Sequence, residues 1–98
     1  MRVELTRSGG LAAVEQSTAL ESEALAEGDA ERLKALVEAI DLDDLAQRSP
    51  LRGKGADRYQ YDLVVSDQGR RHEITASEDA APPELRILAD WLLARAGD

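Results

Sequence analysis

Histidine, cysteine and paired carboxylates are the side chains from which small active sites are usually built, and this chain of 98 residues has few of them. It has no cysteine, which excludes a thiolate nucleophile, a disulfide and a thiolate metal site. His72 is the only histidine and stands between Arg71 and Glu73 in an alternating stretch. A serine hydrolase would want a serine on a Gly-x-Ser-x-Gly turn, which is missing, and a zinc site would want further His or Cys ligands. His72 is therefore read as a half-buried or surface strand residue. The acid pairs Asp43/Asp44 and Glu78/Asp79 lack the spaced oxygen ligands of a calcium loop. The second pair precedes Pro82, where the positive end of a helix accounts for acids, so both pairs are read as solvated charge. Tyr59, Tyr61 and Trp91 are all the aromatic residues there are, and in so aliphatic a chain they are read as packing rather than as a ligand cage. Gly9-Gly10 has no Gly-x-x-x-x-Gly-Lys pattern around it and is not a phosphate loop. Two readings of it stay open: a plain hairpin turn, or an exposed backbone that, with Ser8 and the apolar Leu11, enters a partner's cleft. Nothing assembles an active site, so the chain is expected to be no enzyme and to need no cofactor.

The elements that position these residues can be read from periodicity. Val3 and Leu5 alternate with Arg2, Glu4 and Thr6, which predicts a strand from Arg2 to about Arg7 that Ser8-Gly9-Gly10 breaks. Two adjacent glycines tolerate positive φ, so Leu11 to Leu20 can return as a second, poorly patterned strand. Gly28-Asp29 is expected to open a helix with Asp29 as its cap, because Leu33, Leu36, Val37 and Ile40 follow at helical spacing. Asp41 to Leu45 reads as a short extra turn. Arg48 to Asp57 holds Pro50, Gly53 and Gly55 without periodicity and is expected to be an exposed loop. Tyr59, Tyr61, Leu63 and Val65 then alternate with Arg58, Gln60, Asp62 and Val64, and a three-residue connection, Asp67-Gln68-Gly69, leads into a strand from Arg70 to Ala76. Pro82-Pro83 begins a helix whose stripe is Leu85, Leu88, Trp91 and Leu92 and which ends at Gly97. The predicted fold is α+β, in the order ββαββα: two hairpins joined into one four-stranded antiparallel sheet with two helices on one face.

Length and charge narrow the function classes. Ninety-eight residues are expected to form a single domain over 1–98. The net charge is −8, of which residues 11–50 carry −7. Such a chain repels the phosphate backbone, so no nucleic-acid partner is expected. No apolar run is long enough to span a membrane and the N-terminus alternates, so no membrane contact is expected and the chain is read as unexported and cytoplasmic.

Five stretches together resemble the emfourin family of proteinaceous inhibitors of thermolysin-like, protealysin-type zinc metalloproteases. They are residues 1–10 (MRVELTRSGG), 55–61 (GADRYQY), 69–72 (GRRH), 81–86 (APPELR) and 90–92 (DWL), in matching order along nearly the whole chain. The resemblance implies a reversible, non-hydrolytic block of such a protease's active cleft, with a protein partner made by the same cell. It implies that zinc and calcium belong to the target. The candidate target-binding residues are Arg7, Ser8, Gly9, Gly10 and Leu11, with Leu11 as apolar anchor, and then Arg52 and Lys54 in the second loop. The free inhibitor is expected to be monomeric. Two alternatives remain: a non-protease partner bound on the uncovered sheet face through Arg58, Gln60, Asp62 and Thr75, and a small hydrolase using His72 and nearby acids.

Overall fold

The alternation of Val3 and Leu5 with polar neighbours does produce a strand. The computed structural model describes residues 1–10, 15–55 and 59–96, and in it β1 runs Arg2–Gly9. It lies inside a four-stranded antiparallel sheet of order β2-β1-β3-β4, with β2 at Gln16–Glu21, β3 at Tyr59–Asp67 and β4 at Arg70–Ser77. The register aligns Leu20, Val3, Val65 and His72 in one row and Thr18, Leu5, Leu63 and Ile74 in the next. Because side chains alternate across a strand, Val3, Leu5, Tyr61, Leu63, Val65, Ile74 and Ala76 are all buried on the same face. Helices α1 (Glu27–Glu38), α2 (Leu42–Arg48) and α3 (Pro83–Ala96) supply Leu33, Leu36, Val37, Leu45, Leu85, Leu88 and Leu92 to the same core. With no phenylalanine available, leucines and Tyr61 fill the space between helices and sheet.

The expected order ββαββα is therefore present, with a short 3-10 turn at Ser22–Ala24 and a third helix where an extra turn was expected. Asp41 caps that helix, α2, by accepting a hydrogen bond from the Asp44 N–H at 3.1 Å. Leu45 is buried beneath it and Leu42 is half-buried. The first long helix starts two residues before the expected cap. Its N-cap is Ala26, without a side-chain hydrogen bond, while Asp29 sits in the first turn and pairs with Arg95 of α3 at 3.3 Å. An acid in a first turn still suits the helix dipole, which is why the sequence signal looked like a cap.

Other boundaries also differ from expectation. β1 continues through Ser8 and Gly9, which pair with Gln60 and Tyr59, because β3 supplies a ladder that β2 does not. The second strand is described over Gln16–Glu21, and the expected start at Leu11 falls on Leu11–Val14, which lie outside the described residues. The β3–β4 connection has two residues, not three. Asp67 pairs with Arg70, and Gln68 and Gly69 take φ of 51° and 78°, the pair of left-handed residues that a type I′ turn requires. β4 ends at Ser77, one residue later than expected, and α3 is described to Ala96, with Gly97 outside the described residues. Among the described residues no helix is long and apolar enough to cross a membrane.

Candidate functional site

Strand direction brings the two candidate segments together. β1 ends where β3 begins, with Gly9 opposite Tyr59, and β4 ends beside them, with Ser77 opposite Gln60. The end of β1, the start of β3 and the end of β4 thus lie together at one end of the sheet.

One wall of this end is built on glycine. Gly9 and Gly10 have φ of 94° and 76°, which favour glycine over any residue with a Cβ. At Gly10 a Cβ would lie 2.8 Å from Cε1 of Tyr59, so the ring is laid directly on the turn. The Arg7 guanidinium covers that ring at 4.4 Å from its centroid, and Arg7 also donates to the side-chain oxygen of Gln16. Arg7, a candidate target contact, is thereby committed to fixing Tyr59 from the helix-covered side. Ser8 is in the ladder and, by alternation, shares the open face with Thr6, so it is not at the tip. Arg7, opposite Gln16, is the last residue of β1 that pairs with β2. Leu11 lies outside the described residues. Beneath the wall Tyr61 is buried, and burial, followed by the nearby Glu78 and Asp90 carboxylates, raises its phenol above the ordinary value of 10.0.

The opposite wall is not the unattached loop that its composition suggests. Arg48 ends α2, and Leu51 then forms a parallel bridge with Ala76 of β4. The Leu51 N–H donates to the Thr75 carbonyl and the Ser77 N–H to the Leu51 carbonyl, both at 2.8 Å, and the Thr75 N–H donates to Ser49 Oγ at 2.9 Å. Gly53 N–H donates to Ser77 Oγ at 2.6 Å. The Lys54 and Gly55 N–H groups then both donate to Oδ2 of Asp79, at 3.1 and 3.2 Å, while the Ser77 hydroxyl donates to Oδ1 at 2.8 Å. The Ser77 hydroxyl first, and the Gly55 N–H next, hold the Asp79 carboxyl below its ordinary value of 3.8. A Cβ on Gly53 would lie 2.0 Å from Oδ1 of Asp79, so any larger residue there displaces the carboxylate from this position. Arg52 and Lys54 are exposed on this braced segment. Asp79, read from sequence as solvated charge, is instead its anchor. No local pattern announces this, because the groups it binds lie 24 and 25 positions away.

The remaining candidates lie elsewhere. His72 is in the row of Val3, roughly 20 Å along the strands from Gly9 at about 3.3 Å per residue. Its Nε2 lies 2.7 Å from Oδ1 of Asp43, which also takes Arg70 at 3.1 Å; the His72 hydrogen bond first, and Arg70 next, lower the Asp43 carboxyl. They border a groove of about 740 Å³ between the ends of α1 and α2 and the β3–β4 turn. Among the described residues no group of three His, Cys, Asp or Glu side chains is placed to hold a metal ion. Trp91 is half-buried against the core under Arg95, 5.0 Å away, rather than lining a cage. On the open sheet face the polar groups satisfy one another: Thr75 Oγ1 donates to Asp62 at 2.7 Å, Gln60 donates to Asp62 at 3.2 Å, and Thr6 and Ser17 bond at 3.0 Å. Arg58 lies outside the described residues.

A family model described as Emfourin matches residues 5–93, a span that includes both walls of the sheet end. No curated protein and no solved structure matches the chain.

Proposed function

The chain belongs to the emfourin family, a family of protease inhibitors, and on that premise we propose that it blocks the cleft of a thermolysin-like zinc metallopeptidase with the paired walls at the Gly9–Tyr59 end of its sheet. One inhibitor, monomeric when free and cytoplasmic, occupies one cleft of an enzyme made by the same cell. The observation that carries this reading is convergence. Of the two segments singled out by sequence, the described part of the first, Ser8-Gly9-Gly10, and the stretch holding Arg52 and Lys54 share one pole of the fold and are supported by different contacts.

Each part has a physical task. Leu11 is the apolar anchor for a primed-side pocket, where a buried aliphatic side chain contributes most. Gly9 and Gly10 let the chain turn without side chains of their own, so a narrow cleft can admit the backbone. Arg52 and Lys54 are exposed cations on a chain of charge −8, suited to acidic groups at the rim of a cleft. Strands on one side and the braced 49–55 segment on the other limit the freedom lost on docking, which is how preorganised inhibitors reach high affinity.

Alanine substitution tests the assignment against a purified protealysin-type peptidase. Leu11→Ala should raise Ki by about 5- to 150-fold, corresponding to ~1–3 kcal/mol for a buried anchor. Arg52→Ala and Lys54→Ala should slow association and lose their effect as salt is raised, as rim charges do. A change under twofold in Ki for Leu11→Ala removes it as the anchor, and salt-independent effects of the two cations remove their electrostatic role.

A further inference from the structure

We infer that Asp79 is a positioning residue of the inhibitory pole: it clasps residues 53–55 in the shape that binds, although it lies outside both candidate loops. The inference rests on the reading of that pole as the surface that meets the protease.

The clasp has three separate components. Oδ2 gathers two consecutive backbone N–H groups, those of Lys54 and Gly55. Oδ1 takes the Ser77 hydroxyl, and Ser77 Oγ in turn accepts the Gly53 N–H. Gly53 lies against the carboxylate with no space for a Cβ. Three successive residues are therefore tied to the end of β4 through one carboxylate and one hydroxyl. Upstream, Leu51 is already hydrogen-bonded along β4 through Thr75 and Ser77. Without Asp79 the bracing would end near Gly53, and Lys54 would leave the sheet on a free chain two residues before the segment that leads into β3.

The contacts suit positioning better than global stability. Asp79 is exposed, belongs to no helix or strand and touches no core residue in these bonds. Charge-assisted bonds to adjacent N–H groups fix direction as well as distance, because the carboxylate is acceptor-only. Opening the clasp leaves the sheet and helices intact but reduces the fraction of molecules whose 53–55 segment is ready to bind, and apparent affinity falls in proportion to that fraction.

The test compares wild type with Asp79→Ala, Asp79→Asn and Gly53→Ala, which attack the same contact from two sides. Three quantities are read: Ki and its rate constants against a purified protealysin-type peptidase, amide exchange at Lys54 and Gly55 in the free protein, and melting temperature. Asp79→Ala and Gly53→Ala should each raise Ki by about tenfold or more, mainly by slowing association. They should also speed exchange at Lys54 and Gly55 while the melting temperature changes by only a few degrees. Asp79→Asn keeps one acceptor oxygen and should fall between wild type and Asp79→Ala. Wild-type inhibition with both variants within twofold in Ki overturns the positioning role. So does a weakening that tracks loss of melting temperature with exchange at Lys54 and Gly55 unchanged. If wild type itself fails to inhibit, the reading of the pole fails instead, a result that these variants cannot imitate.

Discussion

Replacing glycines one at a time gives a calibrated test of how the Gly-Gly wall is built. Gly28, Gly69 and Gly10 differ in the sign of φ and in what a Cβ would meet. Gly28 is in the first turn of α1 with nothing within 4 Å of a Cβ, so Gly28→Ala should stabilise the protein by ~0.4–1 kcal/mol by restricting the unfolded chain. Gly69 also has open space, but its φ is 78°, and an L-residue held there costs ~1–2 kcal/mol. Gly10 combines a φ of 76° with a Cβ placed 2.8, 3.2 and 3.3 Å from three ring atoms of Tyr59. The ring must swing away, and its contact with Arg7 adds a further loss of ~0.5–1 kcal/mol. The unfolded-state gain is common to all three substitutions, so it cancels in the differences. Gly10→Ala should be the most destabilising, with Gly69→Ala between it and Gly28→Ala. For a domain of this size each kcal/mol moves the melting temperature by about 4–8 °C, so the three variants should separate clearly in thermal and urea unfolding followed by circular dichroism. Equal destabilisation by Gly10→Ala and Gly69→Ala would show that Tyr59 does not lie on the turn, and the construction of that wall would be wrong.

Leu88 is fully buried between α3 and the sheet, so Leu88→Ala should cost ~2–5 kcal/mol in urea unfolding, and a loss under about 1 kcal/mol would contradict its place in the core. The Asp43 carboxyl is held below 3.8, so its favourable contribution is present above that value and is lost as pH falls through its lower native value. In His72→Ala the first cause of that lowering is gone, and the carboxyl resonance of Asp43 should titrate closer to 3.8 by NMR; an unchanged titration would place the cause elsewhere. Asp79 obeys the same sign, so exchange protection at Lys54 and Gly55 should persist through mildly acidic pH and disappear only below the ordinary carboxylate range, whereas loss already near pH 6 would rule out a clasp made by that carboxylate.

The sheet and helices were legible because their apolar residues repeat at the period of the element they form. Tyr59, Tyr61, Leu63 and Val65 announce β3, and Leu33, Leu36 and Val37 announce the buried side of α1. Boundaries were harder wherever a neighbour decided them. Ser8 and Gly9 remain in β1 because β3 pairs with them, and nothing in residues 1–10 reveals that partner. Gln68 gave no left-handed signal, yet the two-residue turn places it at φ 51°. In the candidate site, Gly9-Gly10 could be read as a turn from composition alone. The commitment of Arg7 to Tyr59 and Gln16 could not, since it joins three strands. The role of Asp79 is the least legible in the sequence. An acid just before a proline-initiated helix has a sufficient local explanation, and its true partners are brought to it only by Leu51 lying along β4.

The most direct measurement is a titration of a purified protealysin-type zinc peptidase with the intact protein, with a serine and a cysteine peptidase in parallel. Residual metallopeptidase activity should fall linearly to zero near one equivalent, competitively with substrate. The inhibitor should remain uncleaved by mass spectrometry, and the other two enzymes should be untouched. Full metallopeptidase activity in molar excess of the protein would contradict the proposed block of the cleft.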